Sequence, residues 1–405
     1  MKQQYKLTLA ALFAVTFISA CSSDDDIKDD NTDVEIIVET TPSNAVVQTI
    51  APDYTSSELV MVTGDDAQVS TGYQVKDKSD FTVSAYNNEV FHIGRFGIDT
   101  IEKFASDNLD VATWSYSTQD DLDTTSRNPY AIAFASDQKA YLLRYGSPTV
   151  WIVNPQATQA EDFKIGELDL SAYAENNSAQ TPSPSSAVIT DGKLFIAMQR
   201  IDDSWNAQSA YVAVFDTATD AEIETNASST DSVMGIPVNG VNPLENSLVA
   251  FGDEVFITSR DSYSSFDLSG SMIEAIDTDT FALREVLTAS DITDNTAANI
   301  KASVVVDADT GFFYVSQSVY EPSYHEVSAV YQFNPTTGEI NDQTVAGSGE
   351  EAINAIAYDA NGYLWIAVGS NTTPGLDILD LETGELYGER LLTDLNPAVI
   401  AILED

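Results

Sequence analysis

Between residues 81 and 391 the chain repeats one arrangement of apolar and polar positions. Two short apolar runs flank a tight turn, a variable loop leads to a third run, and a short turn leads to a fourth. Residues 128–170 show it in the runs 130–134, 140–144, 150–153 and 165–168. Residues 185–225 repeat it at 187–189, 193–197, 211–215 and 221–223, and residues 246–287 at 248–251, 255–258, 272–276 and 282–286. Two further copies occupy 302–341 and 352–391, through 312–315 and 363–367, and one precedes them at 81–85, 90–93, 98–101 and 114–116. Apolar runs this short, bounded by turn residues, predict β-strands. The turns between first and second runs carry Asn87-Asn88, Asp191-Gly192 and Gly252-Asp253, which suit the positive φ of a tight hairpin. Those between third and fourth runs open on Asp216, Asp277, Asn334 or Asp380, and two close on Gly338 and Gly384. Asp or Asn there bonds the backbone two residues on. No stretch shows sustained apolar 3.6 spacing between helix caps, so helix should be close to absent.

Four short antiparallel strands every 40–50 residues are the signature of a β-propeller blade. Six copies are complete. The ends supply a seventh: 396–402 reads as a lone first strand, and 59–62 and 69–75 read as later strands lacking one. Pairing the C-terminal strand with N-terminal ones would close the ring and hide the edges of an open sheet. The expectation is therefore an all-β, seven-bladed propeller of four-stranded blades over 45–405, with six or eight blades as the alternatives. The repeat, with its Asp-x-x-Thr-Gly turns, resembles the YncE-like (YVTN-type) seven-bladed propellers. Lipid-anchored members of that group include surface propellers that capture cobalamin beside a TonB-dependent transporter. No ligand-contacting residue of those proteins can be matched here.

The N-terminus sets an address. Lys2 and Lys6 precede an apolar run over 7–18, then Ser19, Ala20 and Cys21. A basic start, a short apolar core and small residues before a cut form a signal peptide, and the run is too short to span a bilayer. Ile18-Ser19-Ala20-Cys21 resembles the lipobox of bacterial lipoproteins, which implies acylation of Cys21 and removal of residues 1–20. Residues 21–44 then read as an acidic, flexible tether. Ser22 departs from the aspartate of an inner-membrane retention signal, and Ser23-Asp24-Asp25-Asp26 is similar to the acidic export signal of surface lipoproteins. The expected place is the outer membrane, lipid-anchored, on its cell-surface or periplasmic face. Cys21 is the sole cysteine, so no intramolecular disulfide is possible, and its expected acylation excludes a thiol nucleophile and a cysteine metal site.

Charge narrows the partners further. The formal net charge is −47, which repels nucleic acid and anionic headgroups. Against that background, Arg95, Arg144, Arg200 and Arg260 stand at the ends of the second strand in four blades. Phe96, Tyr145, Trp205, Tyr263, Phe266, Tyr320 and Tyr324 fall in the same loops, with His325 beside the last. Loops between second and third strands surround one mouth of a propeller's channel. Arginine forks bind carboxylates and phosphates and stack on rings, while Tyr and Trp bury area and keep a polar handle. These residues are the candidate binding set for a bulky small-molecule or metal-complex ligand: a corrinoid, haem, siderophore or oligosaccharide. The alternative is that the arginines offset local carboxylates and the aromatics pack between blades.

Catalytic motifs are sparse. There is no Gly-x-Ser-x-Gly elbow and no Walker loop. His92 and His325 are the only histidines, too few for a zinc site without convergent partners. The acidic pairs Asp277/Asp279 and Asp307/Asp309 lack the glycine and glutamate of an EF-hand and read as turns. The reading is a non-enzymatic, cofactor-free and metal-free ligand-capturing lipoprotein that serves an outer-membrane transporter. A protein-binding scaffold or adhesin is the second reading, and a lyase or glycosidase on the same face the third.

Overall fold

The structure is a computed structural model describing residues 40–174, 180–226, 233–260, 270–292, 299–321 and 324–403. Tyr263, Phe266 and Cys21 lie outside the described residues. Seven antiparallel sheets follow one another along the chain, so the molecule is an all-β, seven-bladed propeller. Among the described residues helix is confined to three single 3₁₀ turns, and no helix is long and apolar enough to cross a membrane.

The inner strands are Asn396–Ile402, Phe81–Tyr86, Pro129–Ser136, Pro184–Thr190, Leu248–Phe251, Asn299–Val305 and Ala352–Tyr358, for blades 1 to 7 in turn. Each touches the next, and the last touches the first, which closes the ring. Blade 1 joins the two ends of the chain: Asn396–Ile402 pairs with Ala45–Ile50, then Ser57–Thr63 and Gln68–Lys76 complete it. The strand Ala45–Ile50 goes unread in the sequence; 59–62 and 69–75 fall within its two outer neighbours. Residues 40–43, assigned above to the tether, are held against blade 7. Ser43 N–H donates to Asp359 (3.0 Å), Asn361 Nδ2 to the Thr41 carbonyl (3.0 Å) and the Tyr363 hydroxyl to the Thr40 carbonyl (2.5 Å).

Second strands are apolar without alternation because each blade packs against two neighbours. Phe91, Leu142, Ile196, Phe256, Phe313 and Trp365 are all fully or almost fully buried. Seven hydrophobic clusters result, one between each pair of adjacent blades. The Asp-x-x-Thr turns behave as their chemistry predicts. Asp277 Oδ1 accepts the backbone N–H of Asp279 (3.1 Å) and of Thr280 (2.7 Å). Gly338 has φ +77°, and a Cβ there would fall 1.9 Å from the Val286 carbonyl oxygen of blade 5.

Blade 4 departs from the repeat. Its fourth strand is only Ala221–Glu222, and Ile236–Val241 pairs with the other half of the third strand, Ser209–Asp216. This strand lies within 226–246, which reads as a polar linker in the sequence.

Candidate functional site

Five of the seven inner strands carry a one-residue bulge near the same end. The extra residues are Tyr130, Ser185, Lys301, Asn354 and Ala398. A bulge breaks the in–out alternation and re-aims a side chain, which is why bulges gather beside functional sites. Four of these five residues, Tyr130, Lys301, Asn354 and Ala398, line the central channel. Three of them, Lys301, Asn354 and Ala398, also line a cavity of about 820 Å³ into which the channel opens. The inner strands otherwise carry only neutral side chains, so Lys301 is the one charged residue in the inner ring.

Arg260, just past the second strand of blade 5, lines both the channel and the cavity, as do Lys301 and Tyr314. Burial and the neighbouring Arg260 push the Lys301 amine down to about 8, with Glu326 opposing. Tyr314 is buried and its hydroxyl donates to the Asn354 carbonyl at 2.9 Å. Burial raises that phenol well above its usual range, so it stays a donor. Tyr54 and Tyr324, both well exposed, line the outer part of the cavity together with His325 and Glu326. The result is two cations and a phenol at the bottom, with aromatic rings at the entrance.

The four strand-end arginines do not act as a set. Arg95 pairs with Asp80 (2.7 Å) and Glu245 (2.5 Å) and lies 4.9 Å from the Tyr130 ring centroid. Since Glu245 and Tyr130 line the channel, Arg95 supports its wall. Arg144 is buried against Asp123, with its guanidinium 4.3 Å from the Trp151 ring centroid. Arg200 has φ 52°, donates to the carbonyls of Tyr173 (2.9 Å) and Ser209 (2.7 Å), and stacks 4.7 Å from the Tyr211 centroid. Arg144 and Arg200 therefore follow the packing alternative, and only Arg260 of the four faces the cavity directly.

The aromatic candidates also divide. Tyr324 lines the cavity, and Tyr320 stands 5.6 Å from it, centroid to centroid. Phe96 and Trp205 are exposed on their own loops. The Tyr145 hydroxyl donates to Gln199 at 2.6 Å, and its ring packs 5.0 Å from Tyr130. His92 is fully buried, 2.8 Å from Gln48 Oε1 and stacked on Phe81. Lys301, Tyr314, Asn354, Glu326 and Tyr54 go unread in the sequence. The available signal was Lys301 itself, a lone charge at the start of an inner strand.

No protein-family model matches the sequence, and no curated protein matches it. Solved structures match over most of the chain. A protein from Lactobacillus plantarum is 15% identical, with 89% of this chain and 99% of that one covered and a TM-score of 0.58. A proposed 6-phosphogluconolactonase from Bacteroides fragilis is 12% identical, with 89% and 98% covered and a TM-score of 0.55. A functionally unknown protein from Desulfotomaculum acetoxidans is 12% identical, with 89% and 99% covered and a TM-score of 0.53. At such identities the likeness is one of fold: the protein belongs structurally with the β-propellers, and its function has to be argued from its own site.

Proposed function

We propose that this propeller captures a bulky ligand bearing a carboxylate or phosphate in the cavity at the channel mouth. The observation that carries the reading is the placement of Arg260 and Lys301 together in a cavity of about 820 Å³, in a chain of net charge −47. A desolvated cation pair binds an oxyanion more strongly than exposed charges do. Tyr54 and Tyr324 offer flat apolar surface to the rest of the ligand. Haem, a corrinoid or a ferric siderophore has this combination of size, polar edge and flat body.

The lipobox-like run ending at Cys21 supports a tethered receptor head on the outer membrane that passes its ligand to a transporter. Two measurements test the proposal. Isothermal titration with haem, cyanocobalamin and a ferric siderophore should give one-to-one binding to at least one of them, weakened at least tenfold in Arg260→Gln; binding to none rejects the reading. Incorporation of an alkynyl fatty acid should be lost in Cys21→Ala, and its persistence would reject the anchor. A protein partner is the second reading, favoured by Phe96 and Trp205, which are 68% and 60% exposed outside the cavity. A partner pulled down equally by wild type and Arg260→Gln would support it.

A further inference from the structure

Seven lysines lie among the described residues, and six are held by an oxygen partner. Lys76, Lys103, Lys139, Lys164 and Lys193 pair with Glu102, Glu89, Asp220, Asp120 and Asp279, and Lys78 donates to the Gly97 carbonyl. Lys301 has no ion pair or hydrogen bond among the described residues, although it is largely enclosed. It is the extra residue of a bulge between Ile300 and Ala302, which pair with Val315 and Tyr314. Five of the other six lysines reach a carboxylate, and the exposed Lys78 reaches a carbonyl. Here the ammonium instead sits beside a second cation, Arg260, at the wall of a cavity.

We propose that Lys301 is a nucleophilic amine that forms a Schiff base with an aldehyde or ketone whose anionic group rests beside Arg260. The Nζ lone pair adds to the carbonyl carbon, forming the C–N bond, and the C=O π pair moves to oxygen, which takes up a proton. Nitrogen loses a proton, the hydroxyl takes up a second one and leaves as water while the nitrogen pair forms C=N, and the iminium gives up its remaining N–H proton. The sum is amine plus carbonyl giving imine plus water, with no oxidant or reductant required. Desolvation beside another cation is a known route to a reactive lysine. An amine titrating near 8 is roughly a tenth neutral at pH 7, against less than a thousandth for an ordinary lysine. The charged groups acting on it are Arg260 from blade 5, which favours the neutral amine, and Glu326 from its own blade, which opposes it; Glu350 and Glu351 line the same cavity.

This proposal rests on the cavity accepting an anion, and one experiment separates the two. The full chain is incubated with pyridoxal 5′-phosphate or with pyridoxal, reduced with borohydride, and mapped by peptide mass spectrometry. Lys301 should be labelled by the phosphate ester at least tenfold faster than Lys78, with a rate that rises through about pH 8, and Lys301→Arg should lose the fast phase. Arg260→Gln should slow labelling by the phosphate ester and not by pyridoxal. Labelling of Lys301 no faster than Lys78 with either aldehyde overturns the Schiff-base proposal, whatever titration shows for ligand binding. Fast labelling of Lys301 by both aldehydes, unchanged in Arg260→Gln, keeps the reactive amine and overturns the anion-binding reading.

Discussion

Val47 pairs with Ile400 across the seam of blade 1, so strands from the two ends of the propeller lie side by side in one sheet. The C-terminal strand is also the innermost of its blade and contacts the inner strands of blades 2 and 7. Removing residues 396–405 would expose the edge of Ala45–Ile50 and take Ala401 and Leu403 from the core between blades 1 and 2. The expected outcome is loss of cooperative thermal unfolding and rapid proteolysis, since an unpaired edge recruits other chains and a broken ring has no alternative closure. A truncated chain that melts within a few degrees of wild type would contradict the latch.

A second latch is polar. Asp359 is buried and accepts from Trp365 Nε1 (2.8 Å) and from the backbone N–H of Ser43 (3.0 Å), Asn361 (3.0 Å) and Tyr363 (3.2 Å). Asp359→Ala leaves the Ser43, Tyr363 and Trp365 donors buried without an acceptor, while the exposed Asn361 can turn to water. Each such group costs about 1–3 kcal/mol, so a loss of about 3 kcal/mol is expected in urea unfolding. Asp359→Asn keeps one oxygen and should lose about 1 kcal/mol. Equal losses in the two variants would show that side-chain volume, not the acceptor, matters.

Arg144 and Arg260 hold equivalent places in the repeat and should fail in opposite ways. Arg144→Ala removes one of the two arginines that hold Asp123, leaving Arg127 at 2.6 Å, and uncovers Trp151, so a loss of about 3 kcal/mol, the low end for breaking a buried pair, is expected. Arg144→Ala with Asp123→Ala should recover part of that loss, because the pair is coupled. Ligand affinity of the folded fraction should change less than twofold. Arg260→Ala removes a side chain that lines the cavity and should reduce affinity about tenfold or more. Paired chemical-denaturation and titration curves check both. If Arg144→Ala abolishes binding at full stability, the division of the arginines is wrong.

The sequence carries the blades because a strand packed between two neighbours must be largely apolar, and that run recurs in blades 2 to 7. It conceals Ala45–Ile50 because Thr49 and Gln48 interrupt the run; both are buried, with Gln48 Oε1 2.8 Å from His92 Nε2. It conceals Ile236–Val241 because Pro237 and Gly240 punctuate that strand like a loop. The site is harder to read than the fold. Repeat position places an arginine at a strand end but does not say whether a carboxylate such as Asp123 waits between the blades. Nor does strand alternation indicate that Lys301 faces the channel, because a bulge resets the alternation at that residue. Bulges depend on register with the neighbouring strand, which single-strand patterning does not contain.

The turn carboxylates make a prediction whose sign can be separated from the chain's large charge. Hydrogen bonds from the Thr219 hydroxyl and backbone lower the pKa of Asp216, and those from the Thr280 backbone and hydroxyl lower that of Asp277, each below 3.8. A carboxylate whose folded pKa is depressed contributes stability above its unfolded pKa and loses it as pH falls through the folded value. Acid therefore weakens these turns below about pH 4. Over the same range, protonating carboxylates in a chain of net charge −47 relieves repulsion and acts in the opposite sense. The difference between wild type and Asp216→Asn/Asp277→Asn cancels that shared term. Blade 6 already uses Asn in this place, where Asn334 Oδ1 accepts from Thr336 N–H (2.9 Å) and Thr337 N–H (2.8 Å), so the variant turns should still form. Urea midpoints measured from pH 6 to 2.5 should fall more steeply below pH 4 in wild type than in the double variant. Parallel curves would mean that the turns gain nothing from charge and that Asp serves there only as a neutral acceptor would.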